Sequence, residues 1–90
     1  MAGQFVILYF AWVRDRVGVA EERIDHPGAD VSIADLLDRL AAQSAGHAAA
    51  FEDRTRLRAA LDQDYVPLDR VIGTARELAI FPPVTGGGAI

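Results

Sequence analysis

Cysteine is absent from these 90 residues, and so is lysine: all nine basic residues are arginines. Without cysteine there is no disulfide framework, no thiolate nucleophile and no cysteine zinc site. Without lysine no side chain can form a Schiff base or accept an isopeptide bond. Histidine occurs twice, too seldom for a zinc set without cysteine partners. His26 precedes a proline in a turn and His47 lies in an alanine-rich stretch, so both read as exposed loop histidines. The two serines, Ser32 and Ser44, stand outside any G-x-S-x-G pattern, and Ser32 is best explained as a helix cap. Asp35, Asp38, Glu52, Asp53, Asp62 and Asp64 are scattered, and no pair sits in apolar surroundings that would shift its ionisation. No G-x-G-x-x-G or Walker loop is present. The inventory is that of a chain without metal or catalytic side chains of its own.

An excess of positive charge is also missing. Thirteen acids against nine arginines give a net charge of −4, which argues against a nucleic-acid binder. No apolar run approaches the roughly 20 residues that span a bilayer. The start, Met1-Ala2-Gly3-Gln4, carries no basic region, and Arg14-Asp15-Arg16 breaks the apolar run 5–13. No signal peptide is read, and a cytoplasmic protein without membrane contact is expected.

What is there is ordinary globular usage, 51% hydrophobic and 24% charged, which rules out wholesale disorder. The length suits one domain. Residues 5–12 (FVILYFAW) are apolar throughout, which predicts a central strand buried on both faces. Residues 13–17 then suggest one helical turn, closed by Gly18 in a left-handed conformation. Residues 19–26 form a second strand with one solvated face, completing an antiparallel hairpin. Ser32 caps an amphipathic helix whose Ile33, Leu36, Leu37 and Leu40 fall on one stripe. Residues 41–50, alanine-rich with Gly46 inside, read as a frayed helix end and a turn. Residues 57–62 are a third strand, Tyr65-Val66 extend the pairing, and 68–74 are an irregular turn around Gly73. Residues 77–81 make a last strand, stopped by Pro82-Pro83. This order fits an α+β grasp, a mixed sheet of four to five strands with one main helix packed on one face. The first strand lies in the middle beside the last. Residues 1–81 form the body and 82–90 an extended tail.

The tail has its own physics. Two prolines fix the backbone and push their predecessors to extended geometry, so the chain leaves the last strand as a stiff spur. Gly86, Gly87 and Gly88 follow, residues that can thread a narrow channel and expose an unhindered carbonyl carbon. An inert, frayed glycine terminus fits the composition equally well.

Three segments carry a resemblance. Residues 8–18 (LYFAWVRDRVG) are similar to a strand followed by F-A-x-x-R-[ED]-x-x-G, and 57–63 (LRAALDQ) to a third-strand pattern. Residues 77–87 (ELAIFPPVTGG) are similar to E-[VL]-A-[FI]-F-P-P-V-[ST]-G-G. From Phe5 to Gly87 the chain thus resembles the MoaD-like, ubiquitin-like sulfur carriers, the small subunits of molybdopterin synthase. The resemblance implies a ubiquitin-like β-grasp and a carrier without resident cofactor. Its C-terminal glycine passes through a transient acyl-adenylate, made with ATP by a ubiquitin-activating-type adenylating enzyme, to a thiocarboxylate. The sulfur then goes to cyclic pyranopterin monophosphate within a heterotetramer of two carriers and two large subunits. By this resemblance Gly87 bears the thiocarboxylate and Gly86 gives clearance. Phe81, Pro82, Pro83, Val84 and Thr85 line the docking interface, and an exposed apolar patch accompanies the last strand. Arg14 matches the family arginine, as a partner contact or as a surface residue laying its stem over Trp12 or Tyr9.

Two departures stand out. The family pattern stops at Gly-Gly, whereas Gly88-Ala89-Ile90 follow here. A trimming peptidase, a storage form, and a carrier for another sulfur pathway (thiamine, tRNA thiolation, cysteine) each account for this; trimming after Gly87 is favoured. The turn Thr74-Ala75-Arg76 replaces an acidic D-G-D turn. The rival outside sulfur chemistry is a ubiquitin-like binding module with an inert tail.

Overall fold

The computed structural model describes residues 3–83. Five strands, β1 (Gln4–Tyr9), β2 (Glu21–Asp25), β3 (Arg58–Leu61), β4 (Asp64–Val66) and β5 (Glu77–Phe81), form one sheet. The described residues also include three helices, α1 (Ala11–Val17), α2 (Ile33–Ala41) and α3 (Ala45–Ala50), with a 3₁₀ turn over Arg54–Arg56. The sheet order is β2-β1-β5-β3-β4. β1 runs antiparallel to β2 and parallel to β5, with Leu8 opposite Ala79; β3 runs antiparallel to both β5 and β4. The mixed sheet and the pairing of first and last strands are as expected.

Alternation along each strand sends one set of side chains to the core. Phe5, Ile7 and Tyr9 of β1, Ala59 and Leu61 of β3, and Leu78 and Ile80 of β5 are buried against the helices. The α2 stripe Ile33, Leu36, Leu37 and Leu40 meets them, and the Ser32 hydroxyl caps this helix by accepting the Asp35 amide at 3.0 Å. Val13 of α1 and Ala50 of α3 complete the same layer. All three helices therefore cover one face of the sheet.

Two expectations need correction. First, β1 is not buried on both faces, and the centre of the sheet belongs to β5. β1 ends at Tyr9, and Val6 and Leu8 lie only half-buried on the uncovered face. The unbroken apolar run reflects an apolar open face rather than a second helical layer. Ala11 turns the chain abruptly into α1 at φ +56°, and Gly18 ends that helix at φ +101°, its amide bonding to the Arg14 carbonyl at 2.8 Å.

Second, residues 41–50 are not a frayed end. After a short break Ser44 caps α3, accepting the His47 amide at 3.1 Å. Gly46 is no helix breaker here. A Cβ at this position would stand 2.7 Å from the Arg16 carbonyl oxygen and 3.0 Å from that of Val17, so only glycine lets α3 approach the end of α1.

The β3–β4 turn places Asp62 and Gln63 at φ +48° and +73°, the two left-handed residues of a tight hairpin. The Asp62 carboxylate offsets that strain by accepting the Arg76 and Glu77 amides at 2.9 and 3.1 Å, which ties the hairpin to the start of β5.

Helix propensity alone favours alanine over glycine at Gly46 by about 1 kcal/mol, whereas forced overpacking costs about 1–3 kcal/mol. Gly46→Ala is expected to lower stability by about 1–2 kcal/mol in urea unfolding.

Candidate functional site

Among the described residues nothing covers the face opposite the helices, and it is apolar. Leu8 of β1, Ala60 of β3, Tyr65 of β4, and Ala79 and Phe81 of β5 lie on it, with Phe10 just beyond β1. Phe10 is 47% exposed and Tyr65 79%, large values for aromatic residues that no other described residue covers. The Tyr65 and Phe81 rings sit 5.5 Å apart and divide the surface into two adjoining clefts. One continues over Val66, Pro67 and Arg58; the other reaches Gln63 and Glu77. Along the β2 edge Arg23 pairs with Glu21 at 3.0 Å. A contiguous apolar patch with a charged rim has the character of a protein interface. Its lining is largely apolar and aromatic, which suits recognition.

The register fixes where the chain leaves this surface. Because β1 and β5 are parallel, β5 ends beside the start of α1; the Phe10 amide bonds to the Ile80 carbonyl at 3.2 Å. Phe81 lies opposite Arg58, half-buried on the rim of both clefts. Pro82 and Pro83 are the last described residues. Val84, Thr85, Gly86 and Gly87 lie outside the described residues. The Arg14 guanidinium stands 3.8 Å from Asp15 rather than over the Trp12 ring. The residues stacked on Trp12 are Arg16 and Arg56. Spacing explains the difference, since i,i+4 places Arg16 on the Trp12 face of α1 and i,i+2 does not.

A second polar cluster lies within the fold, and sequence reading missed it. His47 is 8% exposed, contrary to the loop assignment. Its Nε2 meets Glu22 Oε1 at 2.7 Å, its Nδ1 meets Ser44 Oγ at 2.5 Å, and the Tyr9 hydroxyl donates to the same Glu22 oxygen at 2.6 Å. Ser, His and Glu in series have the order of a hydrolytic triad. Yet Ser44 Oγ is engaged as the α3 cap, Glu22 is shared with Tyr9, and none of these residues lines the clefts described above. The cluster pins α3 to β2 and β1. The available signal was Ser44 three residues before His47, a capping spacing. His26 is likewise not free: Nε2 faces the Ala75 carbonyl at 3.1 Å and Nδ1 accepts the Gly28 amide at 3.1 Å.

Comparison with known proteins places the chain. The model of the ThiS family matches residues 7–87. The chain belongs to the ThiS family. Among relatives of this ThiS-family chain, the molybdopterin synthase sulfur carrier subunit of Escherichia coli (strain K12) is 41% identical over 83 residues, covering 90% of this chain and 96% of the relative. The Haemophilus influenzae protein of the same name is 31% identical over 81 residues, with the same coverage. SAMP1 of Haloferax volcanii superposes with a TM-score of 0.65 at 26% identity, covering 94% of this chain and 100% of that one. The fold is the ubiquitin-like β-grasp of these proteins, here with α1 and α3 beside the main helix.

The buried cluster generates a pH prediction. Burial, then the hydrogen bond to Glu22 and its charge, push the Tyr9 phenol far above its ordinary value of about 10. The folded state thus holds this proton more tightly than the unfolded chain. That stabilisation is complete below about pH 10 and is lost at up to about 1.4 kcal/mol per pH unit above it. Denaturation midpoints should fall in that alkaline range, and Tyr9→Phe should remove this contribution while lowering stability at neutral pH.

Proposed function

We propose that this chain is the sulfur-carrier subunit of a molybdopterin synthase. One observation carries the reading: the strand that leads into Phe81-Pro82-Pro83 and the Gly-Gly motif is the central strand of the sheet, and it ends on the rim of an open apolar face. A body so built holds a partner with its face while its terminus enters that partner. The family match ending at Gly87 and the names of the two bacterial relatives support the same assignment.

In this reading Gly87 is the reacting residue and Gly86 gives clearance beside it. A carboxylate is a poor electrophile, whereas its mixed anhydride with AMP is a good one. An adenylating enzyme joins the Gly87 carboxylate to the AMP of ATP and releases pyrophosphate. A sulfur donor then displaces AMP and leaves a thiocarboxylate, whose sulfur passes to cyclic pyranopterin monophosphate. The large synthase subunit holds both substrate and carrier in a heterotetramer, and Phe81, Pro82, Pro83, Val84 and Thr85 line the contact. Catalytic side chains come from the partners. Residues beyond Gly87 would carry the free carboxylate away from the reacting position, so a peptidase must first remove them.

Incubating the chain ending at Gly87 with activating enzyme, ATP and a sulfur source should raise its intact mass by about 16 Da, the exchange of oxygen for sulfur. The chain retaining Gly88-Ala89-Ile90 should show no such gain. No gain on the trimmed chain, or an equal gain on both, would contradict the reading.

A further inference from the structure

Trp12 and Arg16 stand one turn apart on α1, and Arg56 comes from the 3₁₀ turn ahead of β3. Both guanidinium groups lie over the same indole, at 4.8 and 5.0 Å from its centroid. Each contact is a cation–π attraction, set against the mutual repulsion of the two cations. A guanidinium held over a ring by its central carbon still carries N–H groups, the donors that receive carboxylates in pairs. Among the described residues neither arginine makes an ion pair. The Arg16 edge reaches only the Ala49 carbonyl, at 3.5 Å. The Thr55 hydroxyl, then its amide, hold the Asp53 carboxyl below its usual range, and the charge of Arg56 adds only a lesser pull.

The place of the stack gives it meaning. Parallel pairing puts α1 at the end of the sheet where β5 finishes, and antiparallel pairing puts the start of β3 there too. Arg14, Arg16, Arg56 and Arg58 thus gather where the chain leaves the sheet. Asp25, Asp62, Asp64 and Glu77 occupy the opposite end. At this end Arg14 stands 3.8 Å from Asp15, whereas Arg16, Arg56 and Arg58 have no ion pair among the described residues.

We propose that the Arg16–Trp12–Arg56 stack is a docking clamp for carboxylates on the large subunit, at the rim of the channel that receives the tail. This rests on the carrier reading above. The indole holds both guanidinium groups in place before the encounter, so less side-chain freedom is lost on binding. Charges at the rim of an interface act on the rate of association and on its salt dependence.

The test is a titration of the full chain with the large synthase subunit from the same genome, at low and high salt. The variants are Arg16→Glu/Arg56→Glu, Arg16→Lys/Arg56→Lys, and Arg76→Glu at the opposite end, each first checked by thermal melting. The double reversal should weaken binding by about tenfold or more and flatten the salt dependence. The lysine pair, which keeps charge but loses the flat fork, should lose less, and Arg76→Glu should match wild type. If the double reversal fails to fold, Arg16→Gln/Arg56→Gln takes its place with a smaller expected loss. Unchanged affinity and salt dependence in the folded double variant, or an equal loss in Arg76→Glu, overturns the clamp while the carrier reading stands. Failure of the wild-type chain to bind the large subunit overturns both.

Discussion

The parallel pairing of β1 with β5 is the constraint on which the molecule depends. β5 is last in the sequence and first in importance, since it fills the middle of the sheet with β1 on one side and β3 on the other. Its Leu78 and Ile80 enter the core while Ala79 and Phe81 line the open face. The sheet is therefore incomplete until the C-terminal strand inserts. This couples the integrity of the body to the place where Pro82 and Pro83 leave the sheet, because the strand that closes the core runs directly into them. Asp62 reinforces the arrangement by receiving the first amides of β5 from the neighbouring hairpin.

Covering only one face has consequences. Helices on one side leave Leu8, Phe10, Tyr65 and Phe81 facing outward, an apolar area that a solitary domain would ordinarily replace with polar residues. The sheet edges are protected by other means. β2 is charged, with Glu21 and Arg23 paired along it, and β4 is only three residues long. The exposed aromatic residues Phe10 and Tyr65 thus share the open face with Phe81, and Arg14, Arg16, Arg56 and Arg58 lie at the end of the sheet where β5 finishes. The open apolar face and the end of β5 therefore adjoin.

The fold was legible where period and punctuation agreed. The α2 stripe with Ser32 ahead of it, the strand 77–81 stopped by prolines, and the left-handed Gly18 each carry a local cause. The apolar patch beside the last strand was likewise expected. Reading failed where a residue's reason lay in a distant segment. Gly46 is glycine because of the Arg16 and Val17 carbonyls, and His47 is buried because Glu22 and Tyr9 reach it across the sheet. The run 5–12 overstated burial, since an apolar face awaiting a partner and one covered by helices share a composition. Arg16 on Trp12 was recoverable from spacing; the second guanidinium, from Arg56, was not, because only the tertiary fold brings it there.

The central claim is that the body recognises with one face while the tail does the chemistry. Backbone amide resonances of the isotope-labelled chain, followed during titration with the large synthase subunit, test it most directly. The account predicts that shifts concentrate on Leu8, Phe10, Tyr65, Ala79, Phe81 and the residues after it, with α2 left undisturbed. Shifts centred on α2, with the open face of the sheet unmoved, would contradict it.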